Sequence, residues 1–251
     1  MLFDQWEISA FFCAIFLGIY QILKKLSVHE NAIFPVVYFT TITSTIPILG
    51  IYLFLSIRGE CSLNPFLLDT HLHIILLLKS VIVTSSWLLS FTALKNLPIT
   101  VATPIGESSP IWVLFGALFF FNINLSILQW LSIPIFLIAI YFFTHQGEKG
   151  TPFVCSQSKW IFCLIAATIL GAVSTLIDKH SLQNLGIEPI SLQSIFGVYN
   201  IFFLSMFFAF RKIRVTFSYF HLNVYLLFAT GISLFIADYM YYQAVAVDGS
   251  P

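Results

Sequence analysis

Charge is what this sequence has least of. Lys, Arg, Asp and Glu make up 9% of its 251 residues, against about 25% in ordinary soluble domains. The 11 basic residues balance the 11 acidic ones, with no basic tail or patch, which excludes the electrostatic footprint of a nucleic-acid binder. Cysteine is scarce and scattered. Cys13, Cys61, Cys155 and Cys163 show no CxxC spacing and no histidine cluster beside them, so neither a disulfide framework nor a zinc site is indicated. Cys13 and Cys163 sit in apolar runs and read as small hydrophobes. A glycine-rich phosphate-binding loop is also absent, which leaves ATP-driven transport by this chain alone without a nucleotide site. The opening MLFDQWE is acidic where a signal peptide wants Lys or Arg, and no small-residue cleavage site follows. The first apolar run therefore reads as a retained helix.

What is present is apolar surface: 59% hydrophobic residues with 28 Phe and a mean hydropathy of +0.94. The runs approach the ~20 residues that cross a bilayer core at ~1.5 Å per residue. The expectation is an all-α polytopic membrane protein with eight spans. The first three are Ile8–Leu23, Ile33–Ile57 and His71–Leu94. Ile99–Phe121 and Ile127–Phe143 form a central hairpin. Trp160–Ile177, Ile190–Phe210 and Leu222–Val247 complete the set. The first span extends to Leu26 if Lys24 and Lys25 snorkel, and Gly18 offers it a close-packing point. Pro35 and Pro47 are tolerated in the second, as in many membrane helices.

The longest polar stretch, His145–Ser158, holds Gly147, Gly150 and Pro152 and is the best internal boundary. It divides a first half, 1–147, from a second, 159–251, joined by a linker at 148–158. The halves resemble each other. Leu17-Gly18 answers Leu170-Gly171, and Phe91-Thr92-Ala93-Leu94 answers Tyr242-Gln243-Ala244-Val245. Both matches lie roughly 150 residues apart. Five helices in the first half turn the second upside down, the inverted-repeat design of many secondary transporters.

Ionisable residues inside spans are functional candidates, because lipid makes them costly. Glu107 lies between Pro104 and Pro110, eight residues into the fourth span and ~12 Å deep at helical rise. It reads as a proton-titrating or substrate-cation site, or as a protonated acid bonded between helices. Ser108 and Ser109 add hydroxyls, and Pro110 leaves the Gly106 carbonyl without its helical donor. Asp238 sits among Tyr239, Tyr241, Tyr242 and Gln243. That setting suits an organic cation or zwitterion, or else a salt bridge. Lys79 is a partner for either carboxylate, or a snorkelling residue. Trp87, Trp112 and Tyr199 read as cavity walls or as packing, and Trp6, Trp130 and Trp160 as interfacial anchors. His71 and His73 lack Cys or carboxylate partners at ligand spacing, so neither a metal nor a cofactor is expected.

The stretch FTALKNLPITVATPIGESSPIWVLFGALFF, followed by LSILQWLSIPIFLIAIYF, resembles the EamA domain of the drug/metabolite transporter superfamily. The likeness rests on Phe91-x-Ala93-Leu94 ending the third span, Ser109-Pro110 in the fourth, and Gln129-Trp130-Leu131-Ser132 opening the fifth. The chain departs from the pattern at Ile123, where the family usually has Glu, and at Ser132 and Ala139, where it usually has Gly. The resemblance implies ten helices in two repeats, with a ninth and tenth expected beyond Pro251. It also implies a cytoplasmic N-terminus. The charge count implies the reverse. With a cytoplasmic N-terminus only Arg58 and Lys179 would face the cytoplasm, and Lys24, Lys25, Lys95, Lys149, Lys159, Arg211, Lys212 and Arg214 would lie on the other side.

The function expected is secondary transport of a small organic solute by alternating access, with protons or counter-substrate as the driver. The chain is expected not to be an enzyme and to reside in a membrane of the bacterial inner-membrane type. Its partners would be the bilayer, the solute, protons and, as a homodimer, a second copy. The alternatives are a lipid-modifying membrane enzyme and a non-transporting membrane partner or fragment. The enzyme would need a converging nucleophile or base near the interface, for which the loops offer His29-Glu30 and His71-Leu72-His73.

Overall fold

The computed structural model describes residues 5–29, 31–59, 70–121, 127–147, 158–211 and 224–247. All regular structure among them is helical. The helices are α1 (Gln5–His29), α2 (Ile33–Arg58), α3 (Thr70–Asn96), α4 (Ile99–Gly106), α5 (Ser109–Phe121), α6 (Ile127–Gly147), α7 (Ser158–Lys179), α8 (Pro189–Arg211) and α9 (Val224–Ala246). Between α7 and α8 a π-helical turn runs from His180 to Asn184. Among the described residues six helices are long and apolar enough to cross a membrane: α1, α2, α3, α7 with its π-turn, α8 and α9. The linker at 148–157 and the turn at 122–126, which contains Ile123, lie outside the described residues.

Two sequence expectations are corrected here. The fourth span is not one helix. It breaks at Glu107–Ser108 into α4 and α5, of 8 and 13 residues, each too short to span. The reason is Pro110, which has no N–H to offer Gly106, so the ladder tightens into three-residue bonds. Ser108 N donates to Ile105 O at 3.2 Å and Ile111 N to Ser108 O at 3.0 Å. The sixth span, by contrast, does not stop at Asp178-Lys179-His180. The π-turn carries it on to Asn184, and Gly186 at φ 64 then turns the chain.

By internal contacts the chain divides into two units, 1–84 with 177–251, and 85–176, so the cut passes through α3 and α7. In the first unit α1 lies along α9, and α2 packs against both α8 and α9. The polar stretch of α2 is enclosed: Thr40, Thr41, Thr43, Ser44 and Thr45 are all buried. Three of these hydroxyls bond back to their own helix, Thr41 to Val37 O and Thr43 to Phe39 O, each at 2.8 Å, and Ser44 to Thr41 O at 3.0 Å, whereas Thr40 Oγ1 has no partner among the described residues. Two glycines permit the close approach. A Cβ on Gly197 would lie 2.6 Å from Thr45 Cγ2, and one on Gly231 2.5 Å from Thr43 Cβ. Gly18, the expected packing point, is corrected: a Cβ there meets nothing within 4 Å. Inter-helix bonds tie α1 to α9, Ser27 Oγ to Thr230 Oγ1 and Ser233 Oγ to Phe16 O, both at 3.0 Å.

The second unit has its own core of Ala93, Leu94, Leu97, Ala102 and Leu164, and Ser86 Oγ donates to Ala167 O at 2.8 Å. In both units many large apolar side chains point outward, Phe11, Ile57, Phe119 and Phe162 among them, while many Ser and Thr are buried. That is the arrangement of helices whose surroundings are lipid, where polar groups gain more from one another than from the exterior.

Candidate functional site

Lys79 lies in α3 and is fully buried, at 0% exposure. Its ammonium is joined to Asp178 Oδ1, near the end of α7, in an ion pair. It also donates to the Tyr242 hydroxyl of α9 at 2.7 Å. The charge lies 3.9 Å from the Phe196 ring centroid of α8 and 5.0 Å from that of Tyr242. Three donors, two hydrogen-bonded acceptors and an aromatic face leave this cation well satisfied without water. The other oxygen of Asp178, at 4% exposure, accepts from the Tyr241 hydroxyl at 3.5 Å. Four helices thus each supply one part of a single charged centre.

Around the pair is an apolar cluster of Leu76, Leu182, Ile187, Leu192, Ile195 and Tyr242. A second polar contact lies further along the same two helices, where Thr84 Oγ1 of α3 donates to Asn200 Oδ1 of α8 at 3.2 Å. Asn200 is 1% exposed, and its amide nitrogen has no partner among the described residues. His73 Nδ1 and the Tyr199 hydroxyl are 2.6 Å apart. Gln183 in the π-turn donates to Val245 O at 3.0 Å, holding the turn to the end of α9.

Asp238 is half-buried on α9, one helical turn before Tyr242. It interacts electrostatically with both Lys79 and Asp178. Of the residues singled out in the sequence, Lys79, Asp238 and Tyr242 therefore come together in the first unit. Lys79 neither snorkels nor takes Glu107 or Asp238 as its direct partner; it pairs with Asp178. Lys24, also expected to snorkel, is buried beside Tyr20, its ammonium 5.7 Å from that ring.

The remaining candidates belong to the second unit. Glu107 is exposed rather than enclosed, because it occupies the break after α4. Ser108 Oγ turns back to Ile105 O at 2.7 Å, Ser109 and Pro110 open α5, and Trp87 is half-buried on α3. Asp178 is the residue that sequence reasoning missed. It was placed at a helix end, where an acid followed by Lys and His looks like a solvated turn. The signal was the apolar Leu182 and Ile187 just beyond, both buried, which continue the buried face past the charges.

The model of the EamA-like transporter family matches residues 4–145. The chain belongs to the EamA-like transporter family. The match covers more than half of the sequence and places it within the drug/metabolite transporter superfamily. No curated protein matches the chain. Family membership and six long apolar helices together make this EamA-family chain a multi-pass membrane protein of transporter type.

Proposed function

We propose that this EamA-family protein is a secondary carrier that moves a small organic solute by alternating access, with protons or counter-substrate as the driver. The observation that carries the reading is the Lys79–Asp178 pair, buried among apolar helices. Intramembrane charges are costly, about 2.5–3.5 kcal/mol each on insertion scales, and mark pathways by default. A stable bundle gains little from such a pair, since apolar residues of similar volume do as well or better. Its retention therefore points to use. Lys79, Asp178, Tyr242 and Asp238 form the charged part of the pathway in this reading. The break at Glu107–Ser108, with Ser109, Pro110 and Trp87, belongs to the second unit and is a separate candidate in this reading, where two short helices meet at tightened bonds.

The inverted repeat belongs to the same proposal, and the inter-helix bonds support it. Shifting the Ser27–Thr230 contact by the offset between halves carries it to the neighbourhood of Asp178 and Lys79. The same shift carries Phe16–Ser233 to the neighbourhood of Ala167 and Ser86. The lipid-modifying alternative draws no such support. Among the described residues His73 is bonded to Tyr199, not to a nucleophile.

The test is a metabolite screen on proteoliposomes holding the full chain, read by mass spectrometry, with Lys79→Met as the comparison. Solutes that accumulate with the parent chain and fail to accumulate with Lys79→Met support the carrier. A parent chain that moves none of the library, or a Lys79→Met chain that is folded and transports equally, overturns it.

A further inference from the structure

We propose that Asn200 and Thr84 form a subsite for an uncharged amide carried on an apolar body. The amide's N–H donates to the Thr84 hydroxyl oxygen, and its carbonyl accepts from the Asn200 side-chain nitrogen. The proposal rests on the reading of the Lys79 centre as the pathway, and deepens it by naming the solute class. The first argument is unmade hydrogen bonds. The Thr84 hydroxyl is spent as a donor on Asn200 Oδ1 at 3.2 Å, so its oxygen keeps acceptor capacity alone. Asn200 Nδ2 carries two N–H donors and has no partner among the described residues, on a side chain 1% exposed. Unmade donors in an apolar interior are costly and uncommon. Here a donor and an acceptor stand side by side, the complement of one amide group. Gln193 Oε1 on α8 and Thr40 Oγ1 on α2 are likewise buried without a partner among the described residues.

The second argument is place. α8 runs against α2 at three points. Ser194 Oγ donates to Ile48 O at 3.4 Å, a Cβ on Gly197 would lie 2.6 Å from Thr45 Cγ2, and the Tyr38 and Ser205 hydroxyls are 3.1 Å apart. Asn200 falls between the last two, and its bond to Thr84 brings α3 to the same spot. One turn before it on α8 is Phe196, whose ring centroid lies 3.9 Å from the Lys79 ammonium. One turn after it is Leu204, at 0% exposure. The amide pair is therefore a polar spot in an apolar wall, next to the charged centre.

The third argument is charge. Over Ile33–Ile57 of α2, Thr70–Leu94 of α3 and Pro189–Phe210 of α8, Lys79 is the one Lys, Arg, Asp or Glu. Its charge is committed to Asp178 and its remaining bond to Tyr242. An ionised group seated at Asn200 would find no counter-charge on these helices, whereas an uncharged amide needs none.

The experiment is equilibrium dialysis of radiolabelled benzamide and benzoate, which differ only at the amide, against the purified full chain in detergent at neutral pH. Benzamide should bind saturably at one site per chain. Benzoate, charged and without an N–H, should bind roughly tenfold or more weakly. Asn200→Leu and Thr84→Val should each weaken benzamide binding about tenfold, the value of one lost hydrogen bond. Thr175→Val, whose hydroxyl is bonded back to Gly171 O at 3.2 Å on α7, should bind as the parent. No saturable binding of benzamide, equal affinity for the two solutes, or binding unchanged in Asn200→Leu overturns the subsite. A water held at Asn200 in place of a solute gives the first of these results. Should Asn200→Leu not fold, Thr84→Val and the amide preference of the unmodified chain decide, and the absence of either effect is refuting. Proteoliposomes separate the subsite from the pathway. If Lys79→Met abolishes transport of a library solute while benzamide does not bind the parent, the pathway stands and the subsite falls. If benzamide binds through Asn200 yet the parent and Lys79→Met move it equally, the subsite stands and the pathway reading falls.

Discussion

Replacing Lys79 with Met takes away the cation but leaves Asp178 enclosed by the same apolar cluster. At 4% exposure that carboxylate cannot turn to water, and the Tyr241 hydroxyl stays beside it at 3.5 Å. Breaking a buried pair from one side costs about 3–5 kcal/mol. Tyr242 also loses its charged partner, adding about 1 kcal/mol. Removing both charges is a different perturbation. Lys79→Met with Asp178→Leu leaves no uncompensated ion, and such replacements cost about 0–1 kcal/mol or even stabilise. The double variant should therefore recover about 3–5 kcal/mol relative to Lys79→Met. Thermal unfolding of the purified chain in detergent, followed by tryptophan fluorescence, reads this directly. At ~2–4 °C per kcal/mol the single variant should melt on the order of 10 °C below the parent, and the double variant should recover most of that. Transport should fail in both. A double variant no more stable than the single, or a Lys79→Met chain within about 0.5 kcal/mol of the parent, would refute the argument.

Gly231→Ala should lose about 1–3 kcal/mol by overpacking, since the new Cβ would lie 2.5 Å from Thr43 Cβ and 3.2 Å from the Thr40 carbonyl. Gly18→Ala, which meets nothing within 4 Å, should be neutral or gain up to about 1 kcal/mol from helix propensity; the same melting assay separates the two. Glu107→Gln should change stability by less than about 0.5 kcal/mol, because the side chain is exposed. It should also leave proton-driven accumulation and its pH dependence intact. Collapse of accumulation with exchange preserved would assign the exchanging proton to Glu107.

Much of the architecture was legible from composition alone. Sparse charge and runs of about twenty apolar residues give helices, because lipid offers the backbone no partner and only intra-segment bonding satisfies it. Among the described residues, six of the eight expected spans appear as long apolar helices. The fourth failed for a reason visible in Ser109-Pro110, a proline that costs a ladder bond, but its consequence depends on whether neighbours hold the helix straight. The EamA family was readable in the motifs of the first half, and the family model covers that half.

Partnership was not readable. These helices are apolar all round, so periodicity does not say which face is inward. Thr40, Thr43 and Thr45 are buried while Phe11 and Phe119 face out, and no pattern in the chain announces it. Sequence reasoning found Lys79, Asp238 and Tyr242 because a charge or polar ring in an apolar run is conspicuous by itself. It passed over Asp178, whose significance lies in a lysine 99 residues away. Local chemistry determines that such charges cannot remain unpaired in lipid. Which charge meets which is decided by the way α3, α7, α8 and α9 cross, a property of tertiary packing that no stretch of the sequence contains.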